Sequence, residues 1–473
     1  MGFQQDFGDR LPDDDTRTMV KLEENYRSTE NILEVANQLI ENNTERIDKV
    51  LKPTRGSGET IYLYRAEDEV AEADFVIQQI RTLESRHPEL DWGKFAILYR
   101  TNAQSRAFED VLVKYGVPYK VVGGLRFYDR KEIKDVLAYL RAIANPADTL
   151  SLLRVINTPR RGIGKTTIDA LVRASQELNM PLWEILSDET SVKSVAGRSS
   201  KGVLSFAEMI QRWQQDLDTM PANEVLQGIL EDSGYLRDLQ SQDTDEAEDR
   251  FKNVQELYNA VLQFQDENPE DPSLVSFLSS ATLASDLDNL EEESGKVSLM
   301  TLHSSKGLEF PVVFLVGLEQ GLFPNHRSLD DPAALEEERR LCYVGITRAQ
   351  ERLFISYARE RRLYGNREPA SPSLFLAELP RDMLETNSAT AIPAKWTKPI
   401  GELKSRSRPA PSNQPGTHEN DWSVGDLVVH KGFGTGTVTH IFGAGNKICL
   451  AVKFASLGQK IIDPRVTPVQ RVE

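Results

Sequence analysis

Near the amino terminus, Ser28-Thr29-Glu30-Asn31 leads into Ile32, Leu33, Val35, Ala36, Leu39 and Ile40, apolar residues spaced along one helix face behind a helix-start signal. The run Ile61-Tyr62-Leu63-Tyr64 then reads as a strand, Ala71 to Leu83 as a second helix, and Phe95-Ala96-Ile97-Leu98-Tyr99 as a second strand. Helix and strand in alternation predict an α/β fold with a parallel sheet. From Arg130 to about Leu290 the pattern is helical instead. There Ile133, Val136, Leu137, Leu140 and Ile143 form one stripe, which stops at Asn145-Pro146 because proline cannot continue the hydrogen-bond ladder. Strands return at Val297-Ser298-Leu299-Met300, Val312-Val313-Phe314-Leu315-Val316 and Leu353-Phe354-Ile355-Ser356-Tyr357. The expectation is one α/β domain, residues 1–122 and 291–385, split by an all-helical insertion at 123–290.

The pattern changes again after residue 385. Pro393, Pro399, Pro409, Pro411 and Pro415 stand among Ser, Lys and Arg, so 386–420 reads as an unpacked linker. Beyond it, Gly425-Asp426-Leu427-Val428-Val429-His430, Gly436-Thr437-Val438-Thr439-His440-Ile441 and Leu450-Ala451-Val452-Lys453-Phe454 alternate with Gly-rich turns, which predicts a small β-barrel over 421–473. No internal repeat is evident.

Composition narrows the class. At 473 residues the chain suits about three domain-sized units, at roughly 150 residues each. A net charge of −17 argues against a surface that coats nucleic acid throughout, although local basic clefts are compatible with it. Cys342 and Cys449 are the only cysteines, so neither a disulfide framework nor a metal-ligand spacing exists, and both read as buried thiols of a reducing compartment. No leader-like segment stands at Met1, and no apolar run approaches the roughly 20 residues that span a bilayer. A soluble, cytoplasmic protein is expected.

Charge concentrates in two places beside apolar strands: Thr301-Leu302-His303-Ser304-Ser305-Lys306-Gly307-Leu308-Glu309-Phe310-Pro311, and Tyr343-Val344-Gly345-Ile346-Thr347-Arg348-Ala349. Loops of this kind suit phosphate handling. Arg161-Gly162-Ile163-Gly164-Lys165-Thr166-Thr167 ends like a Walker A loop, but Pro159 occupies the place of its first glycine and no strand precedes it. Two readings remain for Gly162 and Gly164: a helix start whose backbone N–H groups hold one nucleic-acid phosphate, or a tight turn between packed helices. The acidic runs Asp243 to Asp249 and Glu291-Glu292-Glu293 read as solvated faces, and no metal site is expected.

Asn25-Tyr26-Arg27-Ser28-Thr29, Tyr99-Arg100-Thr101-Asn102-Ala103-Gln104-Ser105-Arg106, Val122 to Asp135 and the two charged motifs closely resemble superfamily I DNA helicases of the UvrD/PcrA/Rep kind. The likeness runs from about Leu22 to Pro380, and the terminal barrel resembles the Tudor-like tail of PcrA-type members. It implies a RecA-like parallel-sheet domain interrupted by a helical insertion. The chain looks like the C-terminal portion of such a helicase, because the first RecA-like domain, with the Walker A lysine and the Mg²⁺-binding acidic pair, has no counterpart in it.

The resemblance carries roles onto particular residues. Arg27 and Arg348 correspond to arginine fingers, forked donors that neutralise charge developing on the γ-phosphoryl group of ATP bound with Mg²⁺ mainly by the missing domain. Tyr26 would stack on adenine, and Glu309 would accept a hydrogen bond from ribose. Arg100, Asn102, His303 and Lys306 would contact single-stranded DNA, with Tyr364 stacking on a base. Gly162 and Gly164 match a backbone-clamping turn against DNA. Lys431, Phe433 and Lys453 of the tail could serve a partner. Residues 421–473 carry six Lys/Arg against four Asp/Glu, and in PcrA-type relatives the similar tail docks on RNA polymerase.

Two functions from different classes follow. One is the C-terminal part of an ATP-dependent 3′→5′ DNA helicase of repair and replication, acting on single strands and single-/double-strand junctions. It would need a chain carrying the missing domain if the gene is split, and would be a poor ATPase alone. The other is a noncatalytic module that holds DNA or RNA polymerase.

Overall fold

The computed structural model describes residues 22–44, 50–215, 217, 220–287, 295–363, 365–386, 422–430, 434–442, 449–454, 458–462 and 469–471. The chain forms two compact units, Met1–Thr397 and Lys398–Glu473.

The first unit is built on a seven-stranded sheet. Its strands are β1 (Ile61–Ala66), β2 (Phe95–Tyr99), β3 (Tyr119–Val121), β4 (Val297–Thr301), β5 (Phe310–Leu315), β6 (Ala349–Ala358) and β9 (Leu384–Thr386). A hairpin, β7 (Glu360–Leu363) with β8 (Asn366–Pro369), stands outside it. The order across the sheet is β9-β1-β6-β5-β2-β4-β3, and every neighbouring pair is parallel. Strand β2 is buried at all five positions, as expected where helices cover both faces of a parallel sheet. Its alternation sorts the layers. Ala96 and Leu98 face the core shared with Ile32, Val35 and Leu39 of helix α1 (Glu30–Glu41), whereas Phe95, Ile97 and Tyr99 face that of α2 (Glu69–Arg86) and α3 (Ser105–Lys114). At about 1.5–3 kcal/mol for each large apolar side chain fully buried, these two layers dominate the stability of the sheet.

The sheet is interrupted in sequence between β3 and β4 by helices, among them α4 (Lys131–Ala144), α5 (Lys165–Leu178) and α6 (Asp245–Glu267). The stripe Ile133, Val136, Leu137, Leu140 and Ile143 lies inside a separate core with Leu152, Phe206, Ile229 and Leu257. Helix α7 (Pro332–Ile346) returns the chain to the sheet, starting at Asp331, whose carboxylate caps the N–H groups of Ala333 and Ala334.

The second unit is a five-stranded antiparallel sheet: β10 (Leu427–His430), β11 (Gly434–Phe442), β12 (Cys449–Phe454), β13 (Gly458–Ile462) and β14 (Val469–Arg471), in the order β13-β12-β11-β10-β14. Val428, Val438, Leu450, Val452 and Phe454 make its core against Trp422, while Leu427 and Val429 alternate outward. An irregularity between Val438 and His440 bends the longest strand. Gly436 is required by packing, since a Cβ there would stand 2.6 Å from Val452 Cγ1. The linker expected at 386–420 lies outside the described residues apart from Thr386 itself.

Candidate functional site

The charged motifs separate to the two ends of the strands. At the amino-terminal ends of β5 and β6, Asn25 Oδ1 accepts hydrogen bonds from the backbone N–H groups of Arg27 and Ser28, both at 2.9 Å, folding the Tyr26-Arg27 segment into a tight turn. Ser28, fully buried, donates through Oγ to Ala349 O at 2.6 Å, and Thr29 N donates to Gln350 O at 3.0 Å, so this turn is fastened to the start of β6. Arg27 and Glu309 form an ion pair, and Gln350 Nε2 donates to the other Glu309 oxygen at 3.0 Å. Arg348 lies beside them. Its Nε donates to Val344 O and its Nη1 to Leu308 O, each at 3.0 Å, and its Nη2 donates to Thr347 Oγ1 at 3.2 Å. The Val344 bond caps the carboxyl end of α7, where a cation is favoured by the helix dipole.

Two guanidinium groups thus lie near one carboxylate, Arg27 paired to it and Arg348 held on the carbonyls of Val344 and Leu308. The hydrogen bond from Arg27 holds the Glu309 carboxyl below its ordinary range. Burial, and then the neighbouring Arg27 charge, lowers the pKa of Arg348. The surplus positive charge at this end suits an anion such as a phosphate. Tyr26 is 71 % exposed with its hydroxyl held by Glu24, so its ring face is open to a stacking partner. Among the described residues no group of three His, Cys, Asp or Glu side chains is arranged to hold a metal ion.

At the carboxyl ends of β2, β4 and β3, adjacent in the sheet, three further motifs converge. Leu302 N donates to Tyr99 O at 2.9 Å, joining the loops that carry Arg100 and His303. Gly123, at φ +77°, leaves room for the next loop, since a Cβ there would lie 2.8 Å from Ser304 Oγ. Gln104 Oε1 accepts from the N–H groups of Arg100 and Thr101 at 3.0 and 2.9 Å and so shapes the turn that presents half-buried Asn102. His303 and Lys306 are exposed. Partial desolvation, and then the charges of Arg100 and Lys306, lowers the His303 pKa, so the imidazole is neutral near pH 7.

Arg100 is less free than its motif suggests. Its Nε and Nη2 form a forked ion pair with buried Glu338, the shortest contact being 2.7 Å, and Glu338 also accepts from Asn325 N at 3.1 Å. Glu338 was missed in the sequence because Glu336-Glu337-Glu338-Arg339-Arg340 reads as an ordinary solvated charge run. Arg55, which donates to Arg27 O at 2.6 Å, and Gln350 were likewise invisible, since nothing local marks a residue whose partner is distant.

Within the insertion, Gly162 adopts φ +73° and buried Ile163 anchors the turn. Gly164 is the N-cap of α5 without a side-chain cap, at φ −77°. No heavy atom lies within 4 Å of where a Gly162 Cβ would stand, and the nearest to Gly164 is Thr166 Oγ1 at 3.9 Å. The turn conformation therefore accounts for Gly162, whereas packing within the chain does not demand glycine at 164. The rejected Walker A loop is absent here, because the element before the turn is the helix Thr149–Val155. The run Asp243 to Asp249 opens α6 and is largely exposed, with Glu248 paired to Lys252 and Arg327. Cys342 is buried and free. Tyr364, Lys431, Phe433 and Glu291-Glu292-Glu293 lie outside the described residues, whereas Lys453 is exposed. No helix among the described residues is long and apolar enough to cross a membrane.

A parallel sheet split by a helical insertion, with charged loops gathered at both strand ends, defines a RecA-like domain of the helicase type. Residues 20–360 match the family model of the UvrD-like helicase C-terminal domain, and 424–471 that of the PcrA/UvrD tudor domain. The chain belongs to the UvrD-like helicase family. It is 39 % identical to the ATP-dependent DNA helicase PcrA of Leuconostoc citreum, over 96 % of this chain and 63 % of that protein. It is 40 % identical to DNA helicase II of Haemophilus influenzae, over 96 % of this chain and 61 % of the relative. The chain thus spans less than two thirds of these relatives' length. A solved C-terminal domain of a possible DNA helicase from Lactobacillus plantarum aligns with 76 % of this chain and 98 % of its own at 11 % identity, with a TM-score of 0.31, too loose to bear on any residue.

Proposed function

We propose that this chain is the C-terminal portion of an ATP-dependent 3′→5′ DNA helicase of repair and replication, working in the cytoplasm. Residues 1–122 and 291–385 act as the second RecA-like domain, 123–290 as a duplex-contacting subdomain, and 421–473 as a tail for RNA polymerase. The observation that carries the reading is the gathering of Arg27 and Arg348 around Glu309 at one end of the sheet, Arg27 paired to it and Arg348 fastened to the Leu308 carbonyl beside it, while His303, Lys306 and Asn102 line the other. ATP with Mg²⁺, held mainly by a first RecA-like domain, supplies the phosphoryl group to be transferred. Arg27 and Arg348 neutralise charge at that group when the domains close, Tyr26 stacks on the base, and Glu309 orients Arg27 and accepts from ribose. At the far end, exposed Lys306 and His303 meet the phosphates of a single strand, Asn102 and Arg100 flank them, Tyr364 stacks, and the Gly162–Gly164 turn holds duplex phosphate.

The test is DNA-stimulated ATP hydrolysis by the purified chain, with and without a separately expressed first RecA-like domain. Activity only in the mixture, lowered about 10³-fold or more by Arg348→Ala, is expected of an arginine finger. Silence in both, with DNA still bound, would establish the noncatalytic module instead.

A further inference from the structure

The β7–β8 hairpin is held by two bodies at once. Successive strand residues point to opposite sides, and Arg361 and Arg362 show it. Arg361 turns toward the sheet to pair with Glu72 of α2 and with Glu319, whereas Arg362 pairs with Asp266 of α6 in the helical insertion. The turn itself is gripped by α6. Asn259, 4 % exposed, donates from Nδ2 to Arg362 O at 3.0 Å and accepts from Gly365 N at 3.1 Å through Oδ1. One side chain thereby bridges both flanks of the turn that joins β7 to β8. Gly365, at φ +82°, rests directly on the same helix: a Cβ there would stand 2.6 Å from Tyr258 Cε1 and 3.0 Å from Leu262 Cδ1. Leu363 is 45 % exposed, an apolar side chain left facing solvent beside the residue read as a base-stacking aromatic.

We propose that Asn259 is a positioning residue for DNA contact: it makes the helical insertion, rather than the sheet alone, set where the hairpin tip meets the nucleic acid. A neutral amide suits the task, because it satisfies a buried carbonyl and a buried N–H together, which a carboxylate or an apolar side chain cannot do. Glu256 Oε2 accepts from the same Nδ2 at 3.0 Å, fixing the amide's orientation, and Glu256 in turn binds Arg106 of α3. The proposal rests on the reading of the tip as a DNA contact.

The experiment uses the full chain and a forked DNA carrying 2-aminopurine at the first unpaired position. Asn259→Ala is expected to reduce the protein-induced fluorescence change at least threefold, while affinity for a plain single strand stays within twofold. Gly365→Ala, which must lift the turn off Tyr258, should give the same loss by a route that leaves Asn259 intact, and it serves if Asn259→Ala does not fold. Tyr364→Ala is the control. If it lowers the signal while Asn259→Ala and Gly365→Ala do not, positioning by the insertion is overturned. If Tyr364→Ala also leaves the signal unchanged, the tip is not a DNA contact, and the proposal falls with that reading.

Discussion

Replacing Arg361 by methionine should strongly destabilise the first unit, most of all at mildly alkaline pH. The guanidinium lies 2.6 Å from Glu72 Oε2 and forks onto Glu319 at 2.5 and 2.6 Å, and both carboxylates are buried. Gly317 N and Ser356 Oγ donate to Glu72, and Ala358 N donates to Glu319, so the backbone geometry would persist without the cation. Removing one partner of a buried pair costs about 3–5 kcal/mol, and with two carboxylates stranded the upper end applies, against a total stability of about 5–15 kcal/mol. The thermal midpoint should fall by roughly 10 °C, at roughly 2 °C per kcal/mol for a unit of this size. Burial holds the Glu319 carboxyl above its ordinary value even beside Arg361. The folded state therefore binds that proton more readily than the unfolded chain, and stability falls as pH rises from the unfolded carboxylate range, about 4.3, through the folded value. Without the guanidinium the folded value moves higher, so the Arg361→Met penalty should be largest near pH 8 and clearly smaller near pH 5. Glu319→Gln combined with Arg361→Met should restore part of the loss. Calorimetry and urea denaturation at both pH values measure this. A penalty under about 1 kcal/mol at pH 8, or an equal one at both pH values, would refute the reasoning, since it would fall below the cost of stranding even one buried charge.

The His303 ring should titrate in NMR below the ordinary imidazole value, and Lys306→Ala should move its midpoint upward by removing a neighbouring cation; a midpoint at or above the ordinary value would contradict the arrangement. Burial pushes the Cys342 thiol far up, so in a Cys449→Ser background it should resist Ellman's reagent at pH 8 until denaturant is added, and rapid labelling of the native protein would show the site to be open. Gly162→Ala should cost about 1–2 kcal/mol because of its left-handed backbone. Gly164→Ala should cost only about 0.5 kcal/mol as an N-cap change yet weaken duplex DNA binding several-fold, and unchanged duplex affinity would return this turn to a packing role.

Local sequence determined the element types here, because burial imposes a period. The stripe from Ile133 to Ile143 became one face of α4, the apolar run Phe95 to Tyr99 became a strand covered on both sides, and the return of strands at Val297 marks the end of the insertion. The motif loops were also legible, since each follows or precedes a strand that periodicity marks. Their grouping was not. Arg27 meets Glu309 across 282 residues, and Arg100 meets Glu338 across 238, because the order β9-β1-β6-β5-β2-β4-β3 brings distant strand ends together. No local pattern encodes a strand order or the identity of a buried charge's partner. Glu72, Glu319, Glu338 and Asn259 look like solvated polar residues in the sequence, and only tertiary packing, which removes water from them and supplies the matching cation or backbone group, gives them their work.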